Sequence, residues 1–393
     1  MYHFASARES LAVAAIIAGA YYQTINYYFL SDDFVLLQQA RNFDWSLRTT
    51  AKPGGDGFFR PVGNLSLAAT YIVAGADARL WHAVGLALHT VNSILVLACG
   101  IGMGIPSRAA LVAALVFALH GAKPEAAVWI AGRFDLLATM FVLAGLLLFQ
   151  RGRHAAAWIA MILGMLSKES AYAFPLLLPL ATRCRTRRVW PFLTGAAALF
   201  ALRCWILGGI GGYQDAAAGH AQALRFGWPT LKAFFLRLWM ALYFPINWSF
   251  EPGRVLAVLG VLYIAFLLAL TALGCRTRPE TAAFVAIAAI PPLSVLGIGS
   301  DLANARVLYL PSVGFALMLA SALDRAPPPW FRIGALVVLS FHASALRHNL
   351  RPWKDASEYA RHGCAAALPG PPGHRLGVPL FVNGHGECLD LQR

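Results

Sequence analysis

The sequence predicts an all-α, polytopic membrane bundle. Three observations predict it. Hydrophobic residues make up 59% of the 393-residue chain and charged residues only 13%, against roughly 25% charged in a soluble domain. The apolar residues gather in runs, several approaching the about 20 residues that a membrane span requires. The short segments between runs alternate between basic and acidic, as loops on opposite sides of a membrane do. The mean hydropathy of +0.60 leaves water an unsuitable solvent for such a surface. The 35 glycines and 22 prolines suit close packing, kinks and broken helices.

The first run covers 11–30, preceded by Arg8. No small-residue cleavage site follows it, so a retained span with a cytoplasmic N-terminus is expected rather than a signal peptide. Residues 31–79 read as a long loop of mixed polarity. Further runs cover 81–101, 107–121, 134–149, 155–167, 170–182, 190–208, 255–274, 281–299, 306–323 and 331–346. With the first run, about eleven spans are expected. The runs at 155–167 and 170–182 are too short to cross alone and read equally as a hairpin with its tip in the membrane.

With the N-terminus inside, the inner loops carry Arg108, then Arg151 and Arg153, then Arg183, Arg185, Arg187 and Arg188, then Arg276 and Arg278, then Arg325 and Arg332. This is the positive-inside pattern. Of 18 acidic residues, only Glu9, Glu280 and Asp324 fall inside. The expected organisation is a transmembrane domain over 1–346, with outer loops 31–79 and 209–254, and a small outer tail over 347–393. No tandem repeat is evident.

A net charge of +14 would suggest nucleic acid for a soluble protein. Here the basic clusters lie between apolar runs, so lipid headgroups are the expected partner and nucleic acid is not. The six cysteines show no metal spacing. Cys364 and Cys388 share the tail, and an outer location would permit a disulfide between them.

Chemistry is expected on the outer side. Asp32 and Asp33 follow the first run directly. Adjacent carboxylates at a membrane surface are costly unless solvated or paired. They read either as a solvated helix end or as a general base, and they also offer oxygen ligands to a divalent cation. Arg60, before Pro61, has the planar fork that meets a phosphate bidentately. Trp81-His82 and His89 share a helix face with Asn92, lining a polar cavity or forming satisfied contacts between helices. The segment from His120 through Lys123 and Glu125 to Arg133 and Asp135 is dense in charge. Lys168-Glu169 interrupts an otherwise apolar stretch of about 27 residues, where ionisable residues are functional candidates by default. Arg306 and Tyr309 open the tenth run. Gly208-Gly209-Ile210-Gly211-Gly212 lies in an outer loop rather than between strand and helix, so no nucleotide-phosphate loop is expected.

These residues resemble a family. Ser31-Asp32-Asp33-Phe34 is similar to the acidic motif that follows the first span in GT-C glycosyltransferases. Phe59-Arg60-Pro61-Val62, His82 through His89, Pro124-Glu125 with Gly132 to Leu137, Leu166 to Glu169, Arg306 to Ser312 and the surroundings of Trp353 resemble, in order, the O-mannosyltransferase-like membrane proteins that carry tetratricopeptide repeats, and their bacterial relatives. The resemblance implies a GT-C-like bundle and inverting transfer of a sugar from a polyprenyl-phosphate donor. It implies Asp32 or Asp33 as catalytic base or acceptor-binding residue. Arg60, Arg133, Lys168 and Arg306 are the expected contacts to donor phosphate, with His82, His89, Glu125, Asp135, Glu169 and Tyr309 in support. No metal ligand is expected for certain, although a divalent cation fits. No repeat domain follows the last run, so the expected acceptor is a glycan, a lipid or a protein. The expected setting is a bacterial inner membrane with the site facing the periplasm. A transporter or flippase, or a non-catalytic scaffold, would share the buried charges. A transporter would usually show internal repeats, and none is seen.

Overall fold

The computed structural model describes residues 6–45, 57–182, 188–212, 214–215, 220–221, 227–293 and 296–366. Helix dominates among them. One two-residue antiparallel pairing joins Gln214 to Ala221 and Asp215 to His220.

Helix α1 (Ala7–Tyr21) starts behind a capping box. The Glu9 N–H donates to Ser6 Oγ at 3.2 Å, and the Ser6 N–H donates to the Glu9 carboxylate at 2.9 Å. Two orphan donors of the first turn are satisfied reciprocally. The chain tightens into a 3₁₀ turn over Tyr22–Asn26, so the run 11–30 is not one regular helix. Helix α2 (Asp32–Arg41) then buries Phe34, Leu37 and Ala40, three residues apart on one face. Helix α3 (Pro61–Ala74) starts with proline in its first turn and ends before Gly75, at φ 51°. These two helices pack together and correct the reading of 31–79 as a loop. The segment Pro61–Ala74 is apolar, but at about 1.5 Å per residue it is too short to be read as a span.

The remaining elements are α4 (Ala78–Gly102), α5 (Ser107–Leu119), α6 (Arg133–Gln150), α7 (His154–Met165), α8 (Phe174–Thr182), α9 (Trp190–Leu207), α10 (Arg254–Thr277), α11 (Pro279–Ala288), α12 (Pro311–Leu323) and α13 (Pro328–Ala366). Two expectations change. The segment 209–254 contains helical Trp228–Lys232, a π turn over Ala233–Arg237 and helical Leu238–Tyr243. Helix α13 runs past residue 346, where the last span was expected to end. Cys388 lies outside the described residues, and with it the pairing to Cys364.

Among the described residues four stretches are long and apolar enough to cross a membrane: Ala78–Gly102, Ile130–Gln150, Trp190–Leu207 and Pro328–His362. Helices α7 and α8, at 12 and 9 residues, are each well short of the about 30 Å of a hydrocarbon core.

The core lies around α5 and α12. Every residue of α12 is buried, as befits a helix that is apolar all round. It packs on α5, α10 and α11, while α4 packs on α5 and α6. Small residues allow the close approach: a Cβ on Gly314 would press on the backbone of Thr281 and Val285 in α11. Such backbone proximity substitutes for the hydrophobic drive that lipid removes. On the periphery, Val255, Val258 and Val261 of α10 are exposed on one face, the signature of a surface that meets lipid.

Candidate functional site

Five loop regions meet at one end of the bundle around a cavity of about 620 Å³. They are the start of α2, the 58–60 segment before α3, the 131–135 entry to α6, the 168–173 turn before α8, and the approach to α12. Segment 210–212 closes the rim, where the Gly212 N–H donates to the Gly57 carbonyl at 3.0 Å. Both residues have positive φ, 90° and 77°, which glycine adopts at little cost. The charged lining residues are Asp32, Asp135 and Glu169 with Arg60, Lys168, Arg203 and Arg306, four cations against three anions.

The charges are ordered by pairing. Arg60 donates to Glu169 through Nε at 3.1 Å and Nη2 at 2.7 Å. Its guanidinium lies 4.0 Å from the Phe58 ring centroid and 5.3 Å from that of Phe134, so two rings hold the fork in place. Arg203 Nη2 donates to the other Glu169 oxygen at 3.3 Å, and Arg203 Nη1 to the Ile210 carbonyl. Burial raises the Glu169 pKa, but Arg60 and Arg203 outweigh it and bring the carboxyl down to about 2. Lys168 Nζ donates to Asp135 Oδ2 at 2.5 Å. Burial, with Arg306 and Arg60 nearby, lowers Lys168 to about 8 against the pull of Asp135. The Arg306 N–H donates to Glu125 Oε2 at 2.9 Å, and its guanidinium lies 4.6 Å from the Trp129 ring centroid. Burial pushes Glu125 up to about 7, opposed by Arg306.

The two aspartates have separate environments. Asp32 is exposed at the cavity wall. Asp33 is 1% exposed, and its carboxylate accepts the Leu30 N–H at 3.0 Å and the Ala131 N–H at 3.3 Å. It ties the start of α2 to the 131–135 segment and does not line the cavity. Burial, aided by the Asp32 charge, pushes its carboxyl well above the usual range. Ser31, between the first helical region and Asp32, has φ 50°. Leu302 and Asn304, just before Arg306, have φ 64° and 66°. Both loops that present a candidate charge therefore include non-glycine residues in the left-handed region, a conformation that costs of order 1–3 kcal/mol per residue and concentrates at functional sites.

Several expected site residues lie behind the cavity. Arg133 is 1% exposed and donates to Thr70 Oγ1 at 2.6 Å and to the Trp81 carbonyl at 3.1 Å. It joins α3, α4 and α6 and is absent from the cavity wall, unlike the expected phosphate ligand. His82 packs edge-on to Tyr27. Tyr309 Oη lies 2.7 Å from His89 Nδ1 and 3.4 Å from Asn92 Nδ2, while His89 Nε2 lies 3.1 Å from the Ala118 carbonyl. A ring that donates from Nε2 and accepts at Nδ1 satisfies both contacts. Tyr309, His89 and Asn92 form a polar contact between helices, whereas both ring nitrogens of His82 lack a hydrogen-bond partner among the described residues. Glu125 meets the site through Arg306, whose N–H it accepts at 2.9 Å and whose Nε lies 4.0 Å away. No three of His, Cys, Asp and Glu gather as a metal-binding group among the described residues.

Arg203 was missed in the sequence. A lone arginine inside the apolar 18-residue α9 was the available signal, since charge within such a helix marks function or pairing. Phe58 and Tyr172 also line the cavity, but aromatic residues are too common in this chain to stand out.

The fold and site thus define a helical membrane protein with an ion-paired, cation-rich cavity at one end of the bundle. The chain is 32% identical over 126 residues to the protein O-mannosyl-transferase Tmtc1 of Drosophila melanogaster, covering 30% of this chain and 15% of that protein. It is 27% identical over 109 residues to the protein O-mannosyl-transferase TMTC3 of Mus musculus, covering 27% of this chain and 12% of that protein. It is 34% identical over 94 residues to TMTC1 of Mus musculus, covering 24% and 10%. The similarity to these O-mannosyl-transferases covers a quarter to a third of the chain and at most about a seventh of each of these relatives. No protein-family model and no solved structure matches the chain.

Proposed function

We propose that the protein is a membrane glycosyltransferase of GT-C type that moves a sugar from a polyprenyl-phosphate donor to an acceptor hydroxyl at the extracytoplasmic, periplasmic face of a bacterial inner membrane. The observation that carries the reading is the shared cavity of Asp32 and four cations, Arg60, Lys168, Arg203 and Arg306. Leu176, Phe200 and Ile290 line the same cavity and are exposed apolar side chains. A lipid-linked substrate needs both environments in continuity: cations for its phosphate and an apolar edge open to the bilayer.

Asp32 accepts the proton of the acceptor hydroxyl. The acceptor oxygen attacks the anomeric carbon from the face opposite the phosphate, and the bond from that carbon to the phosphate oxygen breaks. The lipid phosphate leaves with the bonding pair and the sugar's configuration inverts. Arg306 and Lys168 stabilise the growing negative charge, and the Arg60–Glu169–Arg203 cluster holds the wall in register. General-base help is worth about 10²–10⁴-fold, and preorganised cations add to it.

The test is transfer by purified protein in lipid, using labelled polyprenyl-phosphate sugars and membrane extract. The relatives' names make a mannosyl donor the first to try. The reading predicts product with one donor and its loss in Asp32→Asn. No product with any donor, from protein that remains folded, overturns it.

A further inference from the structure

The opposite end of the bundle carries a second cavity, of about 320 Å³. Pro106, Arg278, Ser321, Asp324 and Arg325 stand on its wall. The sequence assigns these segments to inner loops, so none belongs to the candidate active site.

Four features of the wall favour an anion. Arg278 donates to the Met103 carbonyl at 2.9 Å and the Gly104 carbonyl at 2.8 Å, and lies 3.4 Å from Glu280. These contacts use both Nη atoms, fix the guanidinium and leave Nε unused. The Arg325 side chain makes no ion pair among the described residues. Ser321 is 5% exposed, and its hydroxyl has no hydrogen-bond partner. A buried unpaired hydroxyl is costly unless something meets it. Finally, α5 begins at this wall with Pro106 in the cap position and no side-chain cap, leaving the positive end of a 13-residue helix to face the space. The one wall carboxylate, Asp324, is engaged by Arg108 at 2.9 Å.

The ligand's source follows from the surroundings. The cavity has room for a headgroup beyond its phosphate. Trp330, exposed and five residues after Arg325, is an aromatic of the sort that sits at headgroup level. Ile333 and Leu336, one and two turns further along α13, are exposed apolar residues placed to meet acyl chains. Basic pockets between helices on the inner side suit anionic lipids. We propose that this cavity binds the phosphate of an anionic phospholipid.

The test is native mass spectrometry of full-length protein released from bilayers containing phosphatidylglycerol or only phosphatidylcholine. It is independent of sugar transfer. The wild type should retain phosphatidylglycerol preferentially. Arg325→Gln and Ser321→Ala should each reduce that retention, by about tenfold for loss of the charge-assisted contact. Arg351→Gln, an exposed arginine of α13 outside this wall, should not. Displacement of the lipid by millimolar inorganic phosphate would overturn the lipid source in favour of free phosphate. Equal retention of both lipids, or retention unchanged in both wall variants, would overturn the site.

Discussion

Glu169 holds Arg60 at 2.7 Å, joining two residues that are 109 positions apart, and the same carboxylate receives Arg203 from α9. Three segments distant in sequence therefore share one carboxylate at the cavity wall. Removing its charge leaves two guanidiniums facing each other without compensation. Breaking a buried pair by removing one partner costs about 3–5 kcal/mol; here Glu169 is 27% exposed, and solvent screening reduces the expected loss to about 1–2 kcal/mol. Glu169→Gln should lower the unfolding temperature in detergent and raise the donor KM. An unchanged melting temperature would contradict the architectural role.

The two aspartates should separate by phenotype. Asp32 is exposed and, among the described residues, makes only a long contact, 3.4 Å, with the Ser31 hydroxyl. Asp32→Asn should therefore melt like the wild type and lose about 10²–10⁴-fold in turnover. Asp33→Ala leaves two buried backbone N–H groups without their acceptor, costing about 1–3 kcal/mol each. It should reduce stability first and activity through it. Full turnover in Asp32→Asn would remove the base assignment.

The fold class was legible in the sequence because lipid imposes a strong constraint: the apolar runs and alternating charge already define a helical bundle. Helix lengths were less legible. Among the described residues of the run 281–299 the α-helix ends at Ala288, shortly before Pro291-Pro292, a boundary that the hydropathy of the segment does not show. In the same way the 14 residues of α3 fell below the length that marks a span. Within the site, Lys168, Glu169, Arg60 and Arg306 were visible as charges that interrupt apolar sequence. Their pairing was not, because Glu169 finds its partners far away in the sequence, in α9 and the 58–60 segment. Arg133 carried the same signal as Lys168 yet lies behind the wall; charge density in sequence does not distinguish a ligand from a helix tie.

The pH profile should carry the mark of Lys168. Burial holds its ammonium near 8, so the lysine is charged below that pH and loses its proton above it. If the cation assists departure of phosphate, turnover should fall as pH rises through about 8. Glu125, at about 7, is ionised above that pH and neutral below it, so its support of Arg306 weakens as pH falls. Turnover should therefore peak between about 7 and 8. Arginine cannot be deprotonated in this range, so Lys168→Arg should move the alkaline limb upward even where it lowers the maximum. An alkaline limb that stays at the same pH in Lys168→Arg would exclude Lys168 as its source.

Arg133 and Arg306 offer the sharpest contrast, because both were expected to contact donor phosphate and their surroundings in the structure differ. Arg133 makes short contacts with Thr70 and the Trp81 carbonyl away from the cavity, so Arg133→Met should orphan two buried polar groups. The expected cost is about 1–3 kcal/mol for each group left unpaired, read as a lower melting temperature, with donor KM unchanged in protein that remains folded. Arg306 reaches the cavity wall, its backbone N–H donates to Glu125 at 2.9 Å, and its Nε lies 4.0 Å from the same carboxylate. Arg306→Gln therefore keeps that backbone contact while removing the charge. It should lower stability modestly, through the long Nε contact to Glu125, and raise donor KM by about tenfold or more, the scale of one charge-assisted contact to phosphate. The reverse pattern in KM, raised by Arg133→Met and unchanged by Arg306→Gln, would move the phosphate site from the cavity to the α3–α4–α6 junction.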